Sequence, residues 1–431
     1  MSNVSGFPEW LPEERIAELK WLDEIRRVFE SYGFCSLETP SVEEIDALLA
    51  KGETDKEIYA IRRLHTDDEA NEARLGLHFD LTIPLARYVA EHYGQLVFPF
   101  KRYQIQRVWR GERPQEGRFR EFYQCDIDVI NMDQVPLHFD AEMPAIMYDI
   151  LSRLGVGQFQ ILISNRKILE GYLKGLGIED TISAVRILDK LDKIGADDVI
   201  TQLQSGLGLS RELAARCLAL ASIRTSDLSF VDKVRELGVE SDLLNQGLDE
   251  LSYVMKELIP LSADAFVADL SIARGLDYYT GTVYETKLLE FPGLGSICSG
   301  GRYENLAGAF TSRKLPGVGI SLGFSRLFAK FLAEKRLPVG PKCPTQVLVV
   351  LPRAELREEA ARTASQLRQR GLNVELYHSP VKTGNQIRYA LRKGIPYVWF
   401  PPIEDGGVHQ VKDLQSEEQT PADPTVWMPL H

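Results

Sequence analysis

Cysteine is scarce in this chain. Only Cys35, Cys125, Cys217, Cys298 and Cys343 occur in 431 residues. The count is odd and no two form a CxxC pair, which argues against a disulfide framework or a structural zinc and for a reduced compartment. The seven histidines show no metal-ligand spacing, and no residue is assigned to a metal. No apolar run reaches membrane-spanning length. The first residues, Met1 to Glu14, are polar and proline-bearing, without the apolar core of a signal peptide. A cytoplasmic protein with no membrane association is expected. Positive charge is also short: the net charge is −12. That disfavours nonspecific coating of nucleic acid, although a local patch can still hold a specific partner. Internal repeats and low-complexity tracts are absent too.

What is present is an ordinary globular composition, 44% hydrophobic and 26% charged, on a chain long enough for two or three cores. Leu19, Leu22, Ile25, Val28 and Phe29 keep to one helical face until Gly33, and a short strand at Phe34–Leu37 leads to Thr39-Pro40. Leu77–Leu81 is extended, and Ile83–Ala90 has helical spacing with Pro84 tolerated in the first turn. From about 167 to 259 the apolar spacing is helical throughout. Strand patterns return at Phe266–Ala273 and Thr282–Leu289. The glycine-alternating Gly317-Val-Gly-Ile-Ser-Leu-Gly323 then feeds a helix at Phe324–Ala333. After a Pro/Gly-rich linker, 335–344, strands at Val347–Leu351, Asn373–Leu376 and Tyr397–Phe400 alternate with two helices. A βαβαβ unit with a parallel sheet is expected there.

Two stretches carry the chemistry. Arg110-Gly-Glu-Arg-Pro-Gln-Glu-Gly-Arg-Phe-Arg-Glu-Phe-Tyr-Gln124 sits between strand-like runs at 102–110 and 118–130, the pattern of an antiparallel hairpin with a long loop. Residues 101–120 hold six arginines and a lysine against two glutamates, and guanidinium forks suit phosphate. Strand parity puts Phe122, Gln124, Asp126 and Asp128 on one face, and Tyr123, Cys125, Ile127 and Val129 on the other. In the second stretch, Arg274-Gly-Leu-Asp-Tyr-Tyr-Thr-Gly281, an apolar strand ends on an arginine followed by two tyrosines, whose hydroxyls suit a small polar substrate.

These separated segments, in this order, resemble the class II aminoacyl-tRNA synthetases and, among them, the bacterial histidyl-tRNA synthetases. The resemblance runs over nearly the whole chain. It implies an α+β fold: a catalytic domain with an antiparallel sheet flanked by helices (1–166 and 260–334), a helical insertion (167–259), a linker (335–344) and a C-terminal α/β anticodon-binding domain (345–431). The first helix and strand, ending at Pro40, match the motif that forms a homodimer interface. By position in the hairpin motif, Arg110 would hold the ATP α-phosphate, Glu112 the adenine amino group and Arg118 the leaving pyrophosphate, while Phe122 would stack on adenine. Arg326, in Gly323-Phe-Ser-Arg326, would cover the other adenine face. Ser325 stands where the family commonly has glutamate.

The segments Arg274–Gly281 and Cys298-Ser-Gly-Gly-Arg-Tyr303 resemble the histidine-specific ones. Arg274 would set the substrate carboxylate against the α-phosphate. Tyr279, Tyr303 and Asp128 would surround the imidazole, and Asp80, Thr82 and Gln124 would hold the α-ammonium. Arg113 and Gln115 would meet the acceptor end of tRNA(His). Lys382, Asn385, Gln386, Arg388 and Lys393 form a polar and basic stretch suited to phosphates and splayed bases. The implied reaction is activation of histidine with ATP, accompanied by Mg²⁺, followed by transfer to the tRNA 3′ end. A catalytically silent relative that regulates a phosphoribosyltransferase would usually lack the C-terminal domain and the ATP arginines, both of which are present here.

Overall fold

The helix expected at the start runs Pro12–Ser31 (α1) and ends before Gly33, whose φ of +80° only glycine adopts without strain. Leu22, Ile25, Val28 and Phe29 are buried as the periodicity predicts, whereas Leu19 is 49% exposed. The structure is a computed structural model that describes residues 4–49, 57–64, 73–115, 117–272, 279–404 and 406–429, with only the backbone of Asp192. It divides into two units. Met1–Pro8 and Trp21–Phe331 form one, and Glu9–Lys20 and Leu332–His431 form the other. No helix among the described residues is long and apolar enough to cross a membrane.

The first unit is built on a nine-stranded sheet. Its strands are β1 (Cys35–Ser36), β2 (Phe100–Trp109), β3 (Glu121–Ile130), β4 (Phe159–Asn165), β5 (Arg224–Thr225), β6 (Phe266–Asp269), β7 (Tyr279–Leu288), β8 (Ser296–Tyr303) and β9 (Gly317–Leu322). They lie in the order β1-β2-β3-β9-β8-β7-β4-β6-β5. Every pairing is antiparallel except β1–β2 and β4–β6. The expected hairpin is β2–β3, with the connection running from Arg110 to Arg120. Its strands stop short of the predicted 110 and 118, because the turn closes further out, where Gln115 and Arg118 bridge and Gly117 takes a φ of +70°.

Register assigns each face of the sheet. Arg102 opposes Asp128, Gln104 opposes Asp126 and Gln106 opposes Gln124. On the next strand Gly319 opposes Asp128 and Ser321 opposes Asp126. Opposed residues share a face, so a polar, glycine-bearing floor spans three strands. The alternate residues of the same strands meet helices: the Phe29 ring of α1 lies 5.7 Å from that of Tyr103, and Phe324 of α6 (Phe324–Ala333) lies 6.3 Å from Tyr123. The glycine alternation in β9 has a steric cause. A Cβ at Gly317 would lie 2.4 Å from the Tyr303 ring, and one at Gly319 would lie 2.0 Å from the Asp128 carboxylate. Larger residues would close the floor.

The helical stretch predicted for 167–259 begins with α4 (Arg166–Gly175) and ends with α5 (Asp242–Leu258). These two helices cross almost backbone to backbone. A Cβ on Gly171 would lie 2.4 Å from the Leu244 nitrogen, and one on Gly247 would lie 2.7 Å from the Ile168 nitrogen. Between them, the two-residue β5 was not foreseen. It pairs with β6 at the sheet edge.

The C-terminal sheet has strands β10 (Val347–Val349), β11 (Val374–Leu376), β12 (Tyr397–Phe400), β13 (Gln410–Asp413) and β14 (Gln419–Pro421), in the order β11-β10-β12-β13-β14. Its first three strands are parallel, as the βαβαβ pattern predicts. The last two are antiparallel additions that periodicity did not reveal. Trp427 packs edge-on against Tyr397 and Trp399 and ties the tail to this core.

Candidate active site

Arg110 leaves the end of β2 and is anchored from below. Its Nε donates to the Phe79 carbonyl at 3.0 Å, and its guanidinium lies 5.2 Å from the centre of the Phe122 ring. Across the hairpin turn, Arg326 of α6 donates through Nε to the Gly117 carbonyl (3.1 Å) and through Nη1 to the Ser296 carbonyl (3.0 Å). The motif at Gly323–Arg326 and the hairpin motif are thereby joined, though they lie far apart in sequence. Arg118, on the exposed side, reaches Glu112 at 3.5 Å. Ser325 is buried and its hydroxyl accepts the Tyr123 N–H at 2.9 Å. At this position the chain has a strand-to-helix tie rather than a carboxylate.

A cavity of about 480 Å³ opens above these groups. Arg110, Glu112, Gln115, Arg118, Phe122, Gln124 and Arg326 all line it. Arg113, expected beside Gln115, is exposed and does not line it. Guanidiniums outnumber the single lining glutamate, so the hollow favours an anion.

The residues assigned to histidine are distributed differently. Gln124 lies in the cavity wall, where its amide Nε2 donates to Ser321 at 2.8 Å. Asp128, 6% exposed, accepts the Tyr303 hydroxyl at 3.0 Å and lies 2.7 Å from Nη2 of the fully buried Arg102. Tyr279 pairs with Tyr303 across β7–β8, and both line a second hollow of about 900 Å³ that also meets the Arg166–Gly175 helix. Asp80 and Thr82 are half-buried at the start of α2 (Thr82–His92), where an Asp80 oxygen accepts the Ile83 N–H at 3.0 Å. Arg274 lies outside the described residues, as does the rest of 273–278.

Several lining residues escaped the sequence reading. Ser321 and Ser299 border the cavity, and Ser321 could have been found by continuing the alternation of Gly317 and Gly319 along β9. Arg102 could have been found too, since antiparallel register places it opposite Asp128. Lys193 also lines the cavity from a short helix, Leu191–Ile194, and nothing local in the sequence signals that. Arg302, inside the quoted 298–303 segment, points the other way. It is buried against Asp140 of α3 (His138–Leu154), with Nε 3.0 and 3.1 Å from the two carboxylate oxygens.

In the C-terminal unit, Asn385 and Arg388 line a hollow of about 600 Å³ with Lys342, Tyr377 and Arg392. Gln386 departs from the polar stretch, suited to phosphates and splayed bases, in which it was expected. It is completely buried, accepting from the Leu351 N–H (2.8 Å) and donating to the Leu351 and Val381 carbonyls (2.8 and 2.7 Å). Lys393 is held at 2.8 Å by Glu375 and 3.0 Å by Tyr389.

Comparison with known proteins identifies the family. The family model for histidyl-tRNA synthetase matches residues 6–327, and that for the anticodon binding domain matches 346–422. The histidine–tRNA ligase of Thermobifida fusca is 60% identical, covering 98% of this chain and 97% of its own. That of Micrococcus luteus is 50% identical over 99% and 96%. The crystal structure of histidyl-tRNA synthetase from Nostoc sp. PCC 7120 superposes with a TM-score of 0.87 at 41% identity, over 98% of this chain and 96% of the other. The chain therefore belongs to the histidyl-tRNA synthetase family, with the class II synthetase fold and a C-terminal anticodon-binding domain.

Proposed function

We propose that this chain is a histidine–tRNA ligase whose activation step takes place in the 480 Å³ cavity. The observation that carries the reading is the convergence there of Arg110, Glu112, Arg118, Phe122, Gln124 and Arg326, drawn from segments far apart in the sequence. A histidine carboxylate oxygen attacks the α-phosphorus of ATP in line, the bond to the bridging oxygen breaks, and pyrophosphate leaves. Charge grows on the α-phosphate oxygens as this happens. Arg110 neutralises it from a position fixed by the Phe79 carbonyl. Arg274 holds the attacking carboxylate against the same phosphate, so positioning does most of the work and no general base is required. Phe122 and Arg326 sandwich the adenine, Glu112 accepts its amino group, and Arg118 meets the departing pyrophosphate. Mg²⁺ enters with ATP as part of the substrate, bound chiefly by phosphate oxygens and water.

Asp128, held by Tyr303 and Arg102, receives one imidazole N–H, with Tyr279 and Tyr303 on either side. Asp80, Thr82 and Gln124 receive the α-ammonium. A site that hydrogen-bonds the substrate's polar edge in this way rejects analogues lacking it by about 10⁴–10⁵. In the second step the 3′-terminal adenosine hydroxyl of tRNA(His) attacks the acyl carbon and AMP leaves. Arg113 and Gln115, exposed on the hairpin loop, meet the acceptor end, and residues 345–431 take the anticodon. Residues 1–166 and 260–334 supply the catalytic core, 167–259 the insertion and 335–344 the linker. The enzyme works in the cytoplasm. It works there as a homodimer, for which β1, a two-residue exposed strand at the sheet edge, leaves room to pair.

Histidine-dependent ATP–pyrophosphate exchange tests the assignment. Arg274→Ala should cut exchange by about 10²-fold or more with the fold intact. Near-normal exchange in that variant, or exchange driven equally well by another of the twenty amino acids, overturns it.

A further inference from the structure

Beneath the cavity, three side chains on adjacent strands form a hydrogen-bonded line. The Ser321 hydroxyl of β9 donates to the Asp126 carboxylate of β3, and the Gln124 amide Nε2 donates to Ser321 at 2.8 Å. A hydroxyl has a single proton. Once that proton goes to Asp126, Ser321 can only accept from Gln124, which pins the amide nitrogen inward. The amide oxygen is the opposite end of the group. It is buried, and among the described residues it accepts no hydrogen bond. An unpartnered buried acceptor at the wall of a substrate cavity is costly unless a donor arrives.

We propose that Asp126, acting through Ser321, sets which end of the Gln124 amide faces the substrate, and so is a positioning residue for the amino group of histidine. This rests on the reading above that Gln124 receives the α-ammonium. With Asp126 ionised, the line presents an oxygen, which a cation binds. With Asp126 protonated, its own O–H donates to Ser321, whose proton then turns toward Gln124. The amide reverses and presents its NH₂ group, which has nothing to offer an ammonium.

The surroundings put that switch in a useful range. Burial foremost pushes the Asp126 carboxyl up to about 7, against the pull of Arg102 on β2 and of the Ser321 hydrogen bond. Asp128 on the same strand and Asp80 ahead of α2 push it further up. The oxygen-out state therefore prevails above neutrality and is lost below it.

The test is pyrophosphate exchange with histidine and ATP varied separately across pH. At about pH 8, Asp126→Asn should raise the KM for histidine by about 10-fold or more and leave the KM for ATP unchanged. The ratio of variant to wild-type KM should fall toward one near about pH 6, where wild-type Asp126 is itself neutral. Taking the ratio cancels the titration of the substrate's own imidazole. Ser321→Ala, which cuts the line in both states, should raise the histidine KM and flatten the wild-type pH dependence, an outcome independent of Asp126→Asn. In a Gln124→Ala background, Asp126→Asn should have no further effect. A pH-independent ratio, or an equal rise in the KM for ATP, overturns the relay. If Gln124→Ala raises the histidine KM but Asp126→Asn does not, the relay alone fails. If Gln124→Ala changes nothing, the ammonium reading fails beneath it.

Discussion

Two arginine–aspartate pairs lie buried in the same sheet, on opposite faces, and they are satisfied to different degrees. Arg302 turns toward the helices. Its Nε reaches both oxygens of Asp140, and its Nη2 reaches the same carboxylate and the Pro136 carbonyl. The Tyr284 hydroxyl meets the Asp140 carbonyl at 2.8 Å in the same nest. Arg102 turns toward the cavity side. Its Nη2 approaches Asp128 at 2.7 Å as an ion pair, yet among the described residues none of its three guanidinium nitrogens meets an acceptor in hydrogen-bond geometry, despite complete burial. The first pair is saturated and serves the fold. The second leaves donors unmet in an interior, a cost that fits the role proposed above for Asp128 in receiving the imidazole.

The largest effect should come from breaking the saturated pair. Arg302→Met strands Asp140 in the core and should lower unfolding free energy by about 3–5 kcal/mol, read by denaturant titration. If the loss is no greater than that for Arg102→Met, the distinction between the pairs collapses. Next comes Asp126, whose carboxyl is raised from 3.8 to about 7. Between those values the folded state holds a proton that the unfolded chain releases, so stability falls as pH rises through that window and the full cost is borne above it. Asp126→Asn should stabilise the fold by on the order of 2–4 kcal/mol at about pH 8, with the gain gone near about pH 4. Unfolding curves at the two pH values check this. Arg102→Met also removes a buried carboxylate's partner, but Asp128 keeps the Tyr303 hydroxyl and three unmet donors are lost with the arginine. Its effect on stability should therefore be the smallest, under about 2 kcal/mol, while the KM for histidine rises by about 10-fold. A stability loss without a change in KM would make Arg102 a second Arg302.

The same contrast shows how far the sequence could be read. Parity along 118–130 placed Phe122, Gln124, Asp126 and Asp128 together, and the register shows them so. The hairpin, the helix after Gly323 and the parallel C-terminal strands were also legible, because each follows from local spacing. Gln386 misled because a polar residue in a basic stretch looks solvated. Its partners, Leu351 and Val381, lie in other elements that spacing cannot bring together. Arg302 and Tyr303 are neighbours in sequence but face opposite sides, one saturated by Asp140 and the other bonded to Asp128.

By itself, then, the order of residues dictated which segments become strands or helices and which side chains share a face, since both are short-range properties of a chain with fixed periods. It also supplied the small residues of β9. The pairing of β3 with β9 lay beyond it, and that pairing sets Ser321 against Asp126 and makes room at Gly319 for the Asp128 carboxylate. Neighbours across a sheet are chosen by the path of the whole chain and by the burial it achieves, and neither can be read from any single segment.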